Sequence, residues 1–368
     1  MARTPAPFRS NAVVLAVALA FAMPTAWAVA APAGTPSSGT ELTGPTQAPP
    51  GAADARKADA EAGSDGGPVV LRNITFDVAP NVQTFTEAPK RVVSVNGSAT
   101  ELLLALGLEE RIAGIAFQDN PVLPEYREAF SRLRLLSNRF PGRETVLSLE
   151  PDLIVGWYSA FAPQALGDTT YWNGRGVGTY IMLDSAPVAK SLDNILADIE
   201  NIGMIFRKGP EARAITDDIR GAIASARTRH PGPAPRALFL EPYPGGRIRT
   251  WGADSTLGIM FAGLGGENPF RTTAERGKES YIAAMPDAVV IVYMDNAWDE
   301  ALKLKESFLT DPLLSRLPAS RSGRIGFLPL SECYAPGVRL GMGIRHIEEI
   351  VFGGADGDIR GGPGGGIE

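Results

Sequence analysis

Two glutamates, a scatter of loop aromatics and a few arginines are the side chains of this sequence whose type and spacing invite chemistry. Glu144 opens the run Glu144-Thr-Val-Leu-Ser-Leu-Glu-Pro151-Asp152-Leu-Ile-Val-Gly-Trp157. Glu279 opens a counterpart 135 residues later, Glu279-Ser-Tyr-Ile-Ala-Ala-Met-Pro286-Asp287-Ala-Val-Val-Ile-Val292. In both, Pro-Asp ends a short helix, because proline cannot continue one and biases its predecessor to extended geometry. A wholly apolar strand follows and leads to an aromatic. A glutamate in a first turn is favoured by the helix dipole, so a structural reading of each exists. The matched spacing, once in each half, points to two lobes of similar build, each with a carboxylate at the same place.

The aromatics cluster after strands. Trp157 with Tyr158, and Tyr293 with Trp298 nearby, follow the two repeated strands, and Tyr243 follows a strand ending at Leu240. Phe161, Tyr171, Trp172 and Trp251 lie in Gly- and Pro-bearing stretches and are read as loop residues. Each alone fits core packing. Together, at the edge where open parallel α/β sheets bind ligands, they suggest a wide aromatic cleft. Arg139, Arg175, Arg247, Arg249 and Arg339 lie in similar loops; one or two of them in the cleft would favour an anionic ligand.

Catalytic signatures are absent from the sequence. It has no GxxxxGK cradle, and Gly174-Arg-Gly176-Val-Gly178 has neither the spacing nor the following helix of a dinucleotide fingerprint. The 2 histidines are too few for a multi-histidine metal site. His230 reads as an exposed residue at a helix end, His346 as a packed or capping residue of the last helix, and Cys333 as an inert core thiol. A single cysteine permits no internal disulfide. Net charge is −6, so nothing recruits nucleic acid. The expectation is a protein without catalytic residues, intrinsic cofactor or directly bound metal.

The elements that must position these groups are legible. The chain has 368 residues, 44% of them hydrophobic, enough for two domains. Residues 1–28 read as a cleaved secretory signal: Arg3 and Arg9, an apolar run from Val13 to Met23, then Thr25-Ala26-Trp27-Ala28. No cysteine lies near that site, so the expected product is a periplasmic protein and not a lipoprotein. Residues 29–68 and 353–368 read as a disordered leader and a Gly-rich tail. Strands are expected at Arg91–Val95, Ile112–Ala116, Leu153–Trp157, Ala237–Leu240 and Ala288–Met294, alternating with helices, hence parallel sheets. Ser98-Ala-Thr-Glu101 reads as a capping box, with Glu101 as a cap, and Gly107 as a helix stop. Leu192 to Phe206 is amphipathic, Gly209-Pro210 breaks it, and a helix over 210–230 would be nearly 30 Å long. The expected class is α/β: two doubly wound lobes, 69–209 and 231–352, joined by that single long helix.

The pattern RVVSVNGSATELLLALGLEERIAGIA, ETVLSLEPDLIVGW, GGENPF, ESYIAAMPDAVVIV and DPLLSRLPASRSGRIGFLP, over about residues 90–352, resembles the periplasmic binding proteins for ferric siderophores, haem and vitamin B12. The resemblance implies two α/β lobes joined by one long helix, with a ligand held between them and delivered to an inner-membrane ABC permease dimer. It implies that Glu144 and Glu279 dock on permease arginines, and that the ligand is lined by Asn96, Trp157, Tyr158, Tyr243, Trp251, Tyr293 and Arg339; the loop reading adds Tyr171 and Trp172. The ligand would arrive chelated, and an aromatic cleft with arginine favours a ferric siderophore over cobalamin or haem, although Tyr158 or Tyr293 could ligate haem iron. The protein is expected to act as a monomer. A chelate-modifying enzyme on the same scaffold and a secreted sensor or adhesion module are the competing readings.

Overall fold

The computed structural model describes residues 67–353 apart from 189, 234, 295, 296, 335 and 336, all within one compact unit. The signal-like segment, the leader up to residue 66 and the tail from 354 lie outside the described residues. Described structure opens with an antiparallel hairpin, β1 (Val69–Ile74) and β2 (Pro80–Phe85). The first lobe then runs β3 (Val92–Ser94), α1 (Gly97–Ala105), β4 (Ile112–Ala116), α2 (Arg127–Ser131), β5 (Leu135–Ser137), α3 (Arg143–Leu147), β6 (Leu153–Gly156), α4 (Thr169–Asn173) and β7 (Gly178–Ile181). Its sheet has the order β5-β4-β3-β6-β7 and is parallel throughout, so the chain winds outward both ways from β3.

Two helices follow, α5 (Leu192–Ile205) and α6 (Gly209–Arg229), the second 21 residues long, about 30 Å. Ser191 caps α5 by accepting from the Asn194 amide at 3.1 Å. The two helices approach closely at Gly203, where an added Cβ would stand 2.3 Å from that of Ala212. The second lobe runs β8 (Ala237–Pro242), β9 (Ile248–Trp251), α7 (Thr256–Gly263), β10 (Ala274–Glu275), α8 (Lys278–Ala284), β11 (Ala288–Tyr293), α9 (Trp298–Thr310), α10 (Pro318–Ser322), β12 (Ile325–Pro329) and α11 (Leu340–Phe352). The order is β10-β9-β8-β11-β12. Here the expectation of a parallel sheet is corrected: β9 runs antiparallel to both neighbours. Gly245 and Gly246, both at positive φ, turn the chain straight back after β8 instead of through a helical crossover.

The internal repeat is deeper in the structure than in the sequence, and one detail differs from expectation. Glu150 and Met285, the residues before the two prolines, are left-handed (φ 47° and 45°), not extended. The following aspartates then do the same job twice. Asp152 accepts from the Lys90 and Arg91 amides at 2.6 and 2.9 Å, and Asp287 accepts from the Arg236 amide at 2.8 Å. Each one fixes the start of its lobe's central strand.

Side-chain alternation along the strands divides the core into layers. Val92, Leu153 and Val155 in the first lobe, and Phe239, Val290 and Val292 in the second, share one continuous core with α5, α6 and α11. Val93 and Ile154 face an outer layer of the first lobe, while Leu238, Val289, Ile291 and Tyr293 face an outer layer of the second.

The hairpin closes the first lobe's sheet at β7 with side-chain amides. Gln83 donates to the Thr179 carbonyl at 2.6 Å and accepts from its amide at 2.8 Å; Asn73 does the same to Ile181 at 3.0 and 2.9 Å. Arg207, at φ 61°, anchors the ribbon by donating to the Gly67 and Phe85 carbonyls, each at 3.0 Å.

Candidate functional site: a cleft between the lobes

The loops after β3, β4, β6 and β7 meet the loops after β9 and β12 in a cleft with two compartments. The larger, about 230 Å³, is lined by Trp157, Asp184, Lys190, Trp251, Asp254 and Tyr334 with several serines and threonines. The smaller, about 20 Å³, is a polar recess between Glu101, Gln118, Asp119, Asn120, Ser331 and Arg339. Trp157 and Tyr334 line both.

A rail of rings crosses the seam. Phe140 stacks on Phe117 with centroids 4.8 Å apart, Phe117 meets Trp157 edge-on at 5.5 Å, Trp157 meets Tyr334 at 5.9 Å, and Tyr334 meets Trp251 at 5.9 Å. The Arg249 guanidinium caps the far end, 5.1 Å from the Trp251 centroid. These edge and tilted arrangements are the favoured ones for aromatic pairs. Phe117 holds its place with φ 52°, an unusual conformation for a non-glycine residue at the end of a strand.

Two polar links also span the seam. The buried Glu101 of α1 receives a bidentate Arg339: Nε donates to Oε2 at 2.7 Å and Nη2 donates to Oε1. Arg339 further donates to Ser331 Oγ at 3.0 Å and to the Pro121 carbonyl at 2.5 Å. At the larger compartment, Thr256 at the start of α7 donates to Asp184 at 2.8 Å. Asp184 is set by the buried Asp198 of α5, which accepts from the Leu183 and Asp184 amides at 2.9 and 3.2 Å and from the Tyr180 hydroxyl at 2.8 Å. Burial pushes Asp198 up to about 7 against those donors.

Of the predicted lining residues, Trp157, Trp251 and Arg339 reach the cleft. Arg339 arrives with its guanidinium already engaged. Asn96 is fully buried at the N-cap of α1 and touches the cleft through Trp157 and Ser98. With its amide oxygen turned toward that ring, it accepts from Trp157 Nε1 at 2.7 Å and from the Ser98 hydroxyl at 2.6 Å. The helix therefore begins before the supposed capping box, and Glu101 is an interlobe partner, not a cap.

The remaining predicted residues belong elsewhere. Trp172 has no exposed surface; α4, capped by Asp168, turns it into the outer core, where Nε1 donates to the Leu166 carbonyl at 3.0 Å. Phe161 is equally buried. Tyr171 is sandwiched between Arg175 and Arg143, 3.8 and 5.1 Å from its centroid. Tyr158 stacks on Phe76 at 4.6 Å and donates to the Phe76 carbonyl. Tyr293 points from β11 into the outer layer of the second lobe, against Trp298. Tyr243 packs beside Arg249, 5.1 Å from its centroid, outside both compartments. His230 is half-buried and not exposed, with Nε2 3.0 Å from Glu348 and its ring stacked on Phe352. His346 is packed as expected, with Nδ1 2.5 Å from the buried Glu332, a hydrogen bond that holds its imidazole above the ordinary range. Burial pushes the Cys333 thiol well up, which suits an unreactive group. Tyr334 and Phe117 were missed: neither follows one of the repeated strands, and an isolated aromatic carries no periodic signal.

Glu144 and Glu279 occupy matched positions, exposed in the first turns of α3 and α8 behind Gly142 and Gly277. Neither has an ion pair among the described residues. Each helix starts where a strand of its sheet ends at the carboxyl edge, after β5 in one lobe and β10 in the other.

Comparison with known proteins places this architecture. The sequence model of the periplasmic binding protein family matches residues 92–331. An uncharacterized ABC transporter substrate-binding lipoprotein of Bacillus subtilis is 22% identical over 287 residues, 76% of this chain and 85% of that protein. A cobalamin-binding protein of Halobacterium salinarum is 26% identical over 226 residues, 58% of this chain and 57% of that one, so the chain spans little more than half of it. A periplasmic binding protein structure from Veillonella parvula superposes with a TM-score of 0.72 at 28% identity, covering 77% of this chain and 92% of the other. A family match over most of the folded chain, on a two-lobed α/β frame with a seam cleft, makes this chain a member of the periplasmic binding protein family and a substrate-binding protein of an ABC transporter.

Proposed function

We propose that the cleft captures a cobalt corrinoid, an uncharged or cationic, amide-fringed metal macrocycle, and delivers it to a membrane permease from the periplasm, to which residues 1–28 direct the chain. The observation that carries this reading is the charge of the seam. Four carboxylates, Glu101, Asp119, Asp184 and Asp254, line the two compartments against two cations, Arg339 and Lys190, and Arg339 is engaged by Glu101. Such a lining disfavours an anionic chelate. The ring rail offers π surface to a flat macrocycle, and the serines, threonines and side-chain amides around it suit a fringe of amides. The Halobacterium relative is itself named for cobalamin.

Haem fits less well. Tyr158 and Tyr293, the expected iron ligands, lie outside the cleft. The same acidic lining supports a second reading, a ferric hydroxamate siderophore in a neutral or cationic form. The test is tryptophan quenching and calorimetry with cyanocobalamin, haemin, a cationic ferric hydroxamate and an anionic ferric catecholate. Cyanocobalamin is expected to bind tightest and without conversion; preference for the catecholate would refute the charge argument, and preference for the hydroxamate would select the second reading.

Glu144 and Glu279 are proposed as the permease contacts, two exposed carboxylates at equivalent points of two similar lobes offered to a dimeric partner.

A further inference from the structure

We propose that Glu101 is a specificity-determining residue of the cleft: by engaging Arg339 it withholds from the ligand the guanidinium that would otherwise draw anionic chelates. The proposal rests on the corrinoid reading for the identity of the preferred ligand, and on geometry for the rest. All three nitrogens of the Arg339 guanidinium are committed, Nε and Nη2 to the two oxygens of Glu101, Nη1 to Ser331, and Nη2 also to Pro121. Glu101 is in turn held in register from its own lobe, since Oε1 accepts from the Leu123 amide at 2.9 Å. Both side chains line the recess, with 7% and 12% of their surface exposed, so the pair has little solvent to screen it. Asp119 faces the same recess and adds a second negative charge.

A paired guanidinium presents no free fork to a carboxylate or catecholate, whereas an unpaired one is the preferred bidentate partner of such groups. Glu101 thus acts as internal counter-ion, and its carboxylate repels a ligand oxyanion that approaches the same arginine. This is discrimination by an unfavourable element built against the wrong ligand.

The experiment measures affinities of full-length protein for cyanocobalamin and for an anionic ferric tricatecholate, in wild type, Glu101→Gln and the double variant Glu101→Gln/Arg339→Gln. The ratio of catecholate to cyanocobalamin affinity is expected to rise about tenfold in Glu101→Gln and to return to the wild-type value in the double variant. Should Glu101→Gln not fold, Glu101→Ala read with the same probes decides in its place. An unchanged ratio in a folded single variant, or a raised ratio that persists without Arg339, overturns the proposal. Failure of wild type to bind cyanocobalamin would instead remove the corrinoid reading, and the catecholate affinities of the three proteins would still decide the role of Glu101.

Discussion

Trp172 and Trp251 sit in similar sequence surroundings, each with a glycine within two residues, yet one is core and the other is cleft wall. The difference is a single helical turn: α4 rotates Trp172 inward, whereas β9 ends at Trp251 and leaves it at the seam. Trp172→Ala is therefore expected to cost about 3–5 kcal/mol of stability, read by denaturant unfolding. Trp157→Ala, in contrast, should weaken ligand binding at least tenfold with a smaller loss of stability, because its ring is a central member of the rail. Equal stability losses in the two variants would refute the division. At this scale the sequence revealed which residues were aromatic and near strand ends, but not where they pointed. Tyr293 shows why. In a strand apolar on both faces, alternation gives no sign of which face is the cleft side, and the parity of β11 sends Tyr293 outward.

Elements were more legible than side chains. Alternating apolar runs and capped amphipathic stretches located the central strands of both lobes, and Gly209-Pro210 marked the start of α6. What escaped was the hairpin before β3, the three-residue β5, the antiparallel β9 and β10, and β12; short or half-exposed strands carry little hydrophobic pattern, and β12, though buried, is a run of only five residues. Two predictions belong to helix α5. Gly203→Ala would drive a methyl into Ala212 at the crossing with α6 and should destabilise by about 1–3 kcal/mol; no loss of Tm would contradict the close approach. Asp198 has a folded pKa raised to about 7 from an ordinary 3.8. Folding therefore takes up a proton, and the stabilisation present below about pH 4 is lost as pH rises through 7. Wild-type Tm should fall by several degrees between pH 5 and 8 relative to Asp198→Asn; parallel curves would show that the carboxyl does not titrate in that window.

For the whole molecule the decisive geometry is the repeat. Two lobes present the same motif, Gly-cap, glutamate, left-handed residue, Pro-Asp, strand, so a duplicated structural solution also duplicates an exposed carboxylate. Charge reversal at both, Glu144→Arg with Glu279→Arg, should abolish ligand uptake by cells while leaving ligand affinity of the purified protein within about twofold. Unaltered uptake would remove these residues from the permease contact. The larger compartment, about 230 Å³, is below the roughly 300–1,000 Å³ usual for small-molecule sites. On the corrinoid reading, room for the ligand has to come from the larger compartment, by release of the Asp184–Thr256 link while the Glu101–Arg339 pair stays closed, and small-angle scattering should show an increased radius of gyration on loading.

The amide ladder on β7 has a consequence for how the protein tolerates trimming. Asn73 and Gln83 imitate with their side chains the pairing that another strand would supply, so the outermost rung of the first lobe is already occupied. A chain cut back to residue 88 would retain the cleft residues but bare an unsatisfied rim, the kind of surface that recruits a neighbour's backbone. Such a shortened form is expected to self-associate, running at a larger apparent size than the full chain on size-exclusion chromatography; an unchanged elution for its length would show that the bared rim recruits nothing.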